Sequence, residues 1–326
     1  MAVVLDDIKK LRDMTGAGMS DCKKALEAAD GDIEGAIDFL RKLGQKLSVK
    51  REDREAKEGV CLALTSHNRN NGVVIRLSCE TDFVAKNEKF VALAQSFAEI
   101  ALKNLPESRE ALLALKTEEG ITVEDKVKEQ IGIIGEKLEI SDYGFIQTAA
   151  GEGQVIPYVH MGNRAAVIVS LNLEGPDLIE AGKNVAMQVA AMKPVAVDEK
   201  GVSADTIARE IEIGKEQART EGKPEAMIEK IAEGKLNRFY KDFTLLKQDY
   251  VKDGSKNVSA YLDSVKKGLT VKNDLETIYK YEWSGMIGDP EKLKKRLIRY
   301  FDTGVNFDDS TSFTFKDIPL PSAKKA

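Results

Sequence analysis

Two stretches of this chain carry the same succession of strand, strand and helix, and few architectures accommodate such a doubling. Val73-Val74-Ile75-Arg76-Leu77 is a β-branched run, followed by a polar turn and a long helix with Phe90, Leu93, Ala94, Phe97, Ile100 and Ala101 on one face. Val167-Ile168-Val169-Ser170-Leu171 repeats the run, followed by Gly175-Pro176-Asp177 and an amphipathic helix through Val185, Val189 and Met192. A further strand precedes each of them, at 59–65 and 155–160. β-Branched runs bounded by turn residues favour extended chain, and apolar spacings of three and four favour helix. The doubling predicts two related α+β subdomains, small antiparallel sheets with helices, over residues 59–150 and 151–284. The match is one of pattern, with few identities.

The segments around the repeat are helical. Leu5, Ile8 and Leu11 share a face, and Thr15-Gly16-Ala17-Gly18 breaks it. Ser20 is the expected cap of a second helix bearing Cys22, Ala25, Leu26 and Ala29. Gly31 breaks again before Ile33, Ala36, Ile37 and Leu40. Residues 1–45 thus predict a three-helix bundle, and the charged run 46–58 reads as a linker or an exposed helical extension. Farther on, Ile207, Ile211, Gly214 and Ala218 alternate at spacings of four and three, Glu221-Gly222-Lys223-Pro224 turns the chain, and Ile228, Ile231 and Ala232 continue. An antiparallel helical hairpin over about 203–240 follows, inserted in the second subdomain. A helix at 258–267 and a strand at 275–283 return to that subdomain. Residues 285–326 form a C-terminal extension with a basic amphipathic helix expected at 290–301 and a polar tail after it.

Composition excludes several function classes. A net charge of −5 is the wrong bulk field for a nucleic-acid carrier. No apolar stretch approaches bilayer-spanning length. The start, Met1-Ala2-Val3-Val4-Leu5-Asp6-Asp7, has the layout of neither a secretory signal nor a transit peptide. The three cysteines, Cys22, Cys61 and Cys79, make no disulfide framework, so a reducing cytoplasm is the expected compartment. Gly16-Ala17-Gly18 follows a helix rather than a strand and lacks a third glycine, which argues against a dinucleotide site, and no phosphate-binding Gly-x-x-x-x-Gly-Lys loop occurs. Neither His67 nor His160 has a cysteine or carboxylate at metal-ligand spacing. No cofactor, metal or catalytic constellation is expected.

Two segments carry a family resemblance. Thr15-Gly16-Ala17-Gly18-Met19-Ser20-Asp21-Cys22-Lys23-Lys24-Ala25-Leu26, followed by Gly31-Asp32-Ile33-Glu34, resembles the amino-terminal signature of the elongation factor Ts family, whose bundle is similar to ubiquitin-associated (UBA) domains. Cys79-Glu80-Thr81-Asp82-Phe83-Val84-Ala85-Lys86 resembles that family's second signature. The likeness extends from Leu5 to about Trp283. It implies a guanine-nucleotide exchange factor that acts on the GTPase elongation factor Tu without bond-making chemistry. By that resemblance Phe83 enters an apolar pocket of the partner near its Mg²⁺ and phosphates, and Thr81, Asp82 and Val84 complete the intruding segment. Arg12, Met19 and Lys23 match positions of the bundle that touch the GTPase, and His160 matches a histidine that meets a distal domain of it. Ser20 stands where a second methionine is familiar, and Gln188 where a histidine is often seen.

Read without the family, Phe83 lies seven residues before Phe90 and would share its helix face as a first-turn core residue. Asp82 would be a cap or a first-turn acid, Met19 half-buried packing, and His160 a strand-end polar residue. Two rival functions also stand: an adaptor using the bundle to bind ubiquitin-like partners, and an enzyme built on Cys79 and His160. Cys79, at the end of an apolar strand, reads more readily as a buried small side chain. The helical hairpin could support a homodimer, contact the GTPase, or do neither.

Overall fold

The structure is a computed structural model, in which residues 3–279 are described. The extension 285–326, its helix at 290–301 and the last residues of the strand expected at 275–283 lie outside them. The architecture is the α+β one that the doubling predicts.

Three helices open the chain, α1 (Leu5–Thr15), α2 (Met19–Ala28) and α3 (Ile33–Lys50). Ile8, Leu11, Cys22, Ala25, Leu26, Ala36 and Leu40 close their shared core. Gly16 ends α1 in the left-handed region at φ 75°, where a side chain would be strained. Asp32 caps α3, its carboxylate accepting the Gly35 N–H at 2.8 Å. The cap expected of Ser20 is not formed: Gly18 holds the N-cap position, and Ser20 sits exposed in the first turn. The third helix continues through Gly44 to Lys50, into the charged run.

The first sheet has the order β1-β2-β3, all antiparallel, from β1 (Glu58–Thr65), β2 (Asn71–Cys79) and β3 (Glu139–Gln147). Between its second and third strands run α4 (Asp82–Ala85), α5 (Glu88–Asn104), α6 (Arg109–Ala114) and α7 (Val123–Ile134). The second sheet repeats the plan, with β4 (Gln154–Val159), β5 (Ala165–Leu171) and, after β5, α8 (Ile179–Met192). Before its closing strand it carries α9 (Ala204–Thr220), α10 (Glu225–Phe243), β6 (Asp249–Tyr250), β7 (Asp253–Asn257) and α11 (Val258–Val265). The closing strand β8 (Val271–Tyr279) pairs with β5, giving the order β4-β5-β8. The third strand of the first sheet, the helices α6 and α7 and the short β6–β7 pair are additions to the sequence reading.

Both central strands are buried on two faces, which is why they read as unbroken apolar runs rather than as alternations. Val73, Ile75 and Leu77 meet Phe90, Ala94, Phe97 and Ala101 of α5, while Val167, Val169 and Leu171 meet Ala181, Val185 and Val189 of α8. The opposite faces meet each other: Cys61, Ala63, Val74 and Ile146 pack against Val155, Ala166 and Ile168. Gln188, on the core side of α8, is fully buried; it accepts the Val251 N–H at 2.8 Å and donates to Gln248 and to the Asp249 carbonyl, tying the helix to the β6–β7 pair.

In the hairpin of α9 and α10, Gly214, Ala218, Ile228 and Ala232 are buried, and a side chain at Gly214 would lie 3.2 Å from the Ala232 Cα. Lys215 pairs with Glu229 across the helices at 2.9 Å. The three-helix bundle joins the first sheet's helices through α7. The bundle-side helix α3 crosses α7 at Gly44 and Gly132, where a Cβ on Gly44 would lie 2.4 Å from the Lys128 carbonyl oxygen.

Candidate partner-binding site

The apolar strand β2 ends at Cys79, and two residues later the chain makes a helix of only four residues, α4. Thr81 is its N-cap, accepting the Val84 N–H at 3.4 Å, and Asp82 is a first-turn acid bound to Lys86 at 2.9 Å. The Lys86 ammonium holds the Asp82 carboxyl below the usual carboxylate range. The chain then breaks at Lys86-Asn87, and Asn87 caps the next helix with its own side chain, accepting the Lys89 N–H at 2.9 Å. That break separates Phe83 from Phe90. With no continuous helix between them, their seven-residue spacing does not put them on one face. Phe90 is 2% exposed in the core and Phe83 is 83% exposed. The core reading of Phe83 therefore fails. Leaving a phenylalanine in water forgoes about 1.5–3 kcal/mol of burial.

The turn is held from beneath by two carboxylates, each of which accepts backbone N–H groups from the other's segment. Glu136, just past the C-terminus of α7, accepts the N–H groups of Glu80 and Thr81 at 3.1 and 3.0 Å on one oxygen, and the Thr81 hydroxyl at 2.6 Å on the other. Glu80 in return accepts the Lys137 N–H at 2.6 Å, and pairs with Arg51 and Arg54 at 2.9 Å each. Burial pushes the Glu80 carboxyl up, but the Lys137 N–H and the guanidinium groups of Arg54 and Arg51 outweigh it and hold it below its ordinary value. The Lys137 ammonium reaches the Glu52 carbonyl at 2.8 Å. The charged run after the bundle thus closes on the base of the turn. Sequence reading missed Glu80, Glu136, Arg51 and Arg54, whose only signal is opposite charge at distant positions.

The other residues that the resemblance singles out lie on other elements. Arg12, in the last turn of α1, and Lys23, on α2, are exposed, and Lys23 pairs with Glu27 at 3.8 Å. Met19, the first residue of α2, is half-buried against the bundle core. Ile133 near the end of α7 packs into that same core, so one helix touches the bundle and, three residues on, the Phe83 turn. His160 stands on the second sheet, at the β4–β5 turn, where its Nδ1 lies 2.9 Å from the Tyr158 hydroxyl. Burial, with the Arg164 charge beside it, lowers the His160 pKa. The next residue, Met161, is exposed.

Cys79 is fully buried, and its thiol donates to the Thr81 carbonyl at 3.2 Å, which suits packing rather than a nucleophile. Among the described residues no group of three or more His, Cys, Asp or Glu could hold a metal ion, and no helix is long and apolar enough to cross a membrane.

Comparison with known proteins places this chain among relatives. The family model described as Elongation factor TS matches residues 80–282, and that of the UBA/TS-N domain matches residues 5–40. The chain is 51% identical over 265 residues to an elongation factor Ts of Flavobacterium psychrophilum, covering 81% of this chain and 94% of that protein. It is 47% identical over 274 residues to one of Amoebophilus asiaticus, covering 84% and 97%. With one of Cytophaga hutchinsonii it shares 51% over 266 residues, covering 81% and 94%.

Proposed function

Because the chain belongs to the elongation factor Ts family, we propose that it is a guanine-nucleotide exchange factor for elongation factor Tu, working in the cytoplasm, with Phe83 as the residue that enters the GTPase. The observation that carries this reading is the 83% exposure of Phe83 on a turn whose backbone is fixed by Glu136 and Glu80. An apolar ring held outward by polar contacts at its base is preorganised to enter a pocket, and little conformational entropy is lost when it does.

Exchange of this kind needs no bond to be made or broken. Displacing the partner's Mg²⁺ removes the largest counter-charge on the bound diphosphate, and the nucleotide is then held less tightly. A factor that binds the nucleotide-free partner better than the GDP-bound one must weaken GDP binding by the factor by which GDP weakens its own. Excess GTP sets the direction. Asp82 and Val84 flank the ring, and Arg12, Met19 and Lys23 on the bundle, with His160 on the second sheet, supply further contacts that hold the partner in register.

The test is release of a fluorescent GDP analogue from purified elongation factor Tu, alone, with this protein, and with Phe83→Ala. Strong acceleration by the native chain and a drop of at least ~10-fold in the variant are expected, as for loss of an interface anchor worth about 2 kcal/mol or more. No acceleration by the folded native chain would refute the exchange function; acceleration untouched by the substitution would remove Phe83 from the mechanism.

A further inference from the structure

The Phe83 turn is a four-residue helix, too short to hold its own shape. Its orientation must therefore come from outside, and one side chain reaches it with both oxygens. Gly135 ends α7 in the left-handed region at φ 78° and turns the chain so that Glu136 faces the end of β2. One Glu136 oxygen then takes two successive backbone N–H groups, those of Glu80 and Thr81, and the other takes the Thr81 hydroxyl. Thr81 is also the N-cap of α4, so the carboxylate grips the residue from which the little helix starts. Each bond has an ionised acceptor, the stronger class of hydrogen bond.

We infer that Glu136 is a positioning residue for nucleotide exchange: its carboxylate, carried on the end of α7, fixes the Glu80–Thr81 backbone and so aims Phe83 at the partner. The inference rests on the exchange reading above. Glu136 acts through the turn and need not touch the GTPase. Since Ile133 packs in the bundle core, the same helix end also sets where the turn stands relative to the bundle.

The consequence is a specific division of effects. Glu136→Ala removes no partner-binding side chain but frees the turn that aims Phe83, so the maximal rate of GDP release falls by roughly 10-fold while the half-saturating concentration, set largely by contacts on other elements, changes by less than about 2-fold. Glu136→Gln keeps one carbonyl oxygen for the two N–H groups and retains most of the rate. In the Phe83→Ala background, Glu136→Ala has little further effect, because both act through one ring. In the free protein, the amides of Glu80 and Thr81 exchange with solvent faster in Glu136→Ala than in the native chain, a readout that needs no partner.

Native exchange rates with Glu136→Ala, or an equal loss in the native and Phe83→Ala backgrounds, would overturn the inference. So would unchanged amide protection. A Phe83→Ala variant as active as the native chain would instead remove Phe83 from the mechanism, and this inference with it.

Discussion

A carboxylate gripped by two guanidinium groups and a backbone N–H makes its ionisation part of the fold. Glu80 has a depressed pKa, so its folded form binds a proton less readily than its unfolded form. The sign follows from linkage: between the depressed value and the unfolded value near 4.3, the unfolded chain carries more protons. The stabilisation is fully present above pH ~4.3 and is lost as pH falls through the folded pKa. Glu80→Gln should cost about 1–3 kcal/mol at pH 7, the range for a partly buried charged hydrogen bond. Urea unfolding of both proteins from pH 7 to pH 3 reads this directly, and the gap between them should close toward the acid end. A gap that stays constant would mean that the Glu80 charge does not matter. Phe83→Ala provides the contrast: the ring is already in water, so folding stability should change by no more than about 0.5 kcal/mol, while exchange suffers.

Among the elements, α7 joins two surfaces. Its Gly132 meets Gly44 of α3 so closely that neither position has room for a side chain. A Cβ on Gly44 would fall 2.4 Å from a backbone oxygen, which cannot swing aside as a side chain could. Gly44→Ala should therefore destabilise the protein by about 1–3 kcal/mol despite alanine's better helix propensity. Gly234 on α10 has open space around its missing Cβ, and Gly234→Ala should stabilise by about 0.5–1 kcal/mol. Thermal unfolding of the pair tests whether close helix approach, rather than glycine content, controls stability here. A Gly44→Ala variant as stable as the native protein would refute the crossing as a tight contact.

At the scale of the whole molecule, the two sheets share a core layer between them, besides the core that each closes with its own helices. Ile168 is fully buried where they meet. Ile168→Ala should cost about 2–5 kcal/mol. It should shift the urea midpoint of a single transition with an unchanged slope, because the sheets unfold together. Two separated transitions, with only the second sheet's weakened, would show that the sheets are independent units.

The helices and strands were legible because they rest on local rules. Apolar spacing marks α5, α8 and the hairpin, β-branched runs mark β2 and β5, and glycines mark the breaks around α2. The family signature was legible too, and it pointed to Phe83 where spacing alone pointed to a core residue. Local rules failed at Ser20, where a glycine took the cap position, and at β3, whose polar, mixed sequence becomes a strand by pairing with β2. The base of the Phe83 turn was beyond them altogether. Glu80 reaches Arg51, Arg54 and the backbone of Lys137, and Glu136 reaches the N–H groups of Glu80 and Thr81, through contacts 26 to 57 residues apart in the chain. By itself, then, the sequence determined most of the helices and strands and which family they compose, since short-range sterics and periodicity decide those. Only the tertiary structure decided that Phe83 points outward and what holds it there, because ion pairs and hydrogen bonds between distant residues exist only once the chain has brought them within about 3 Å.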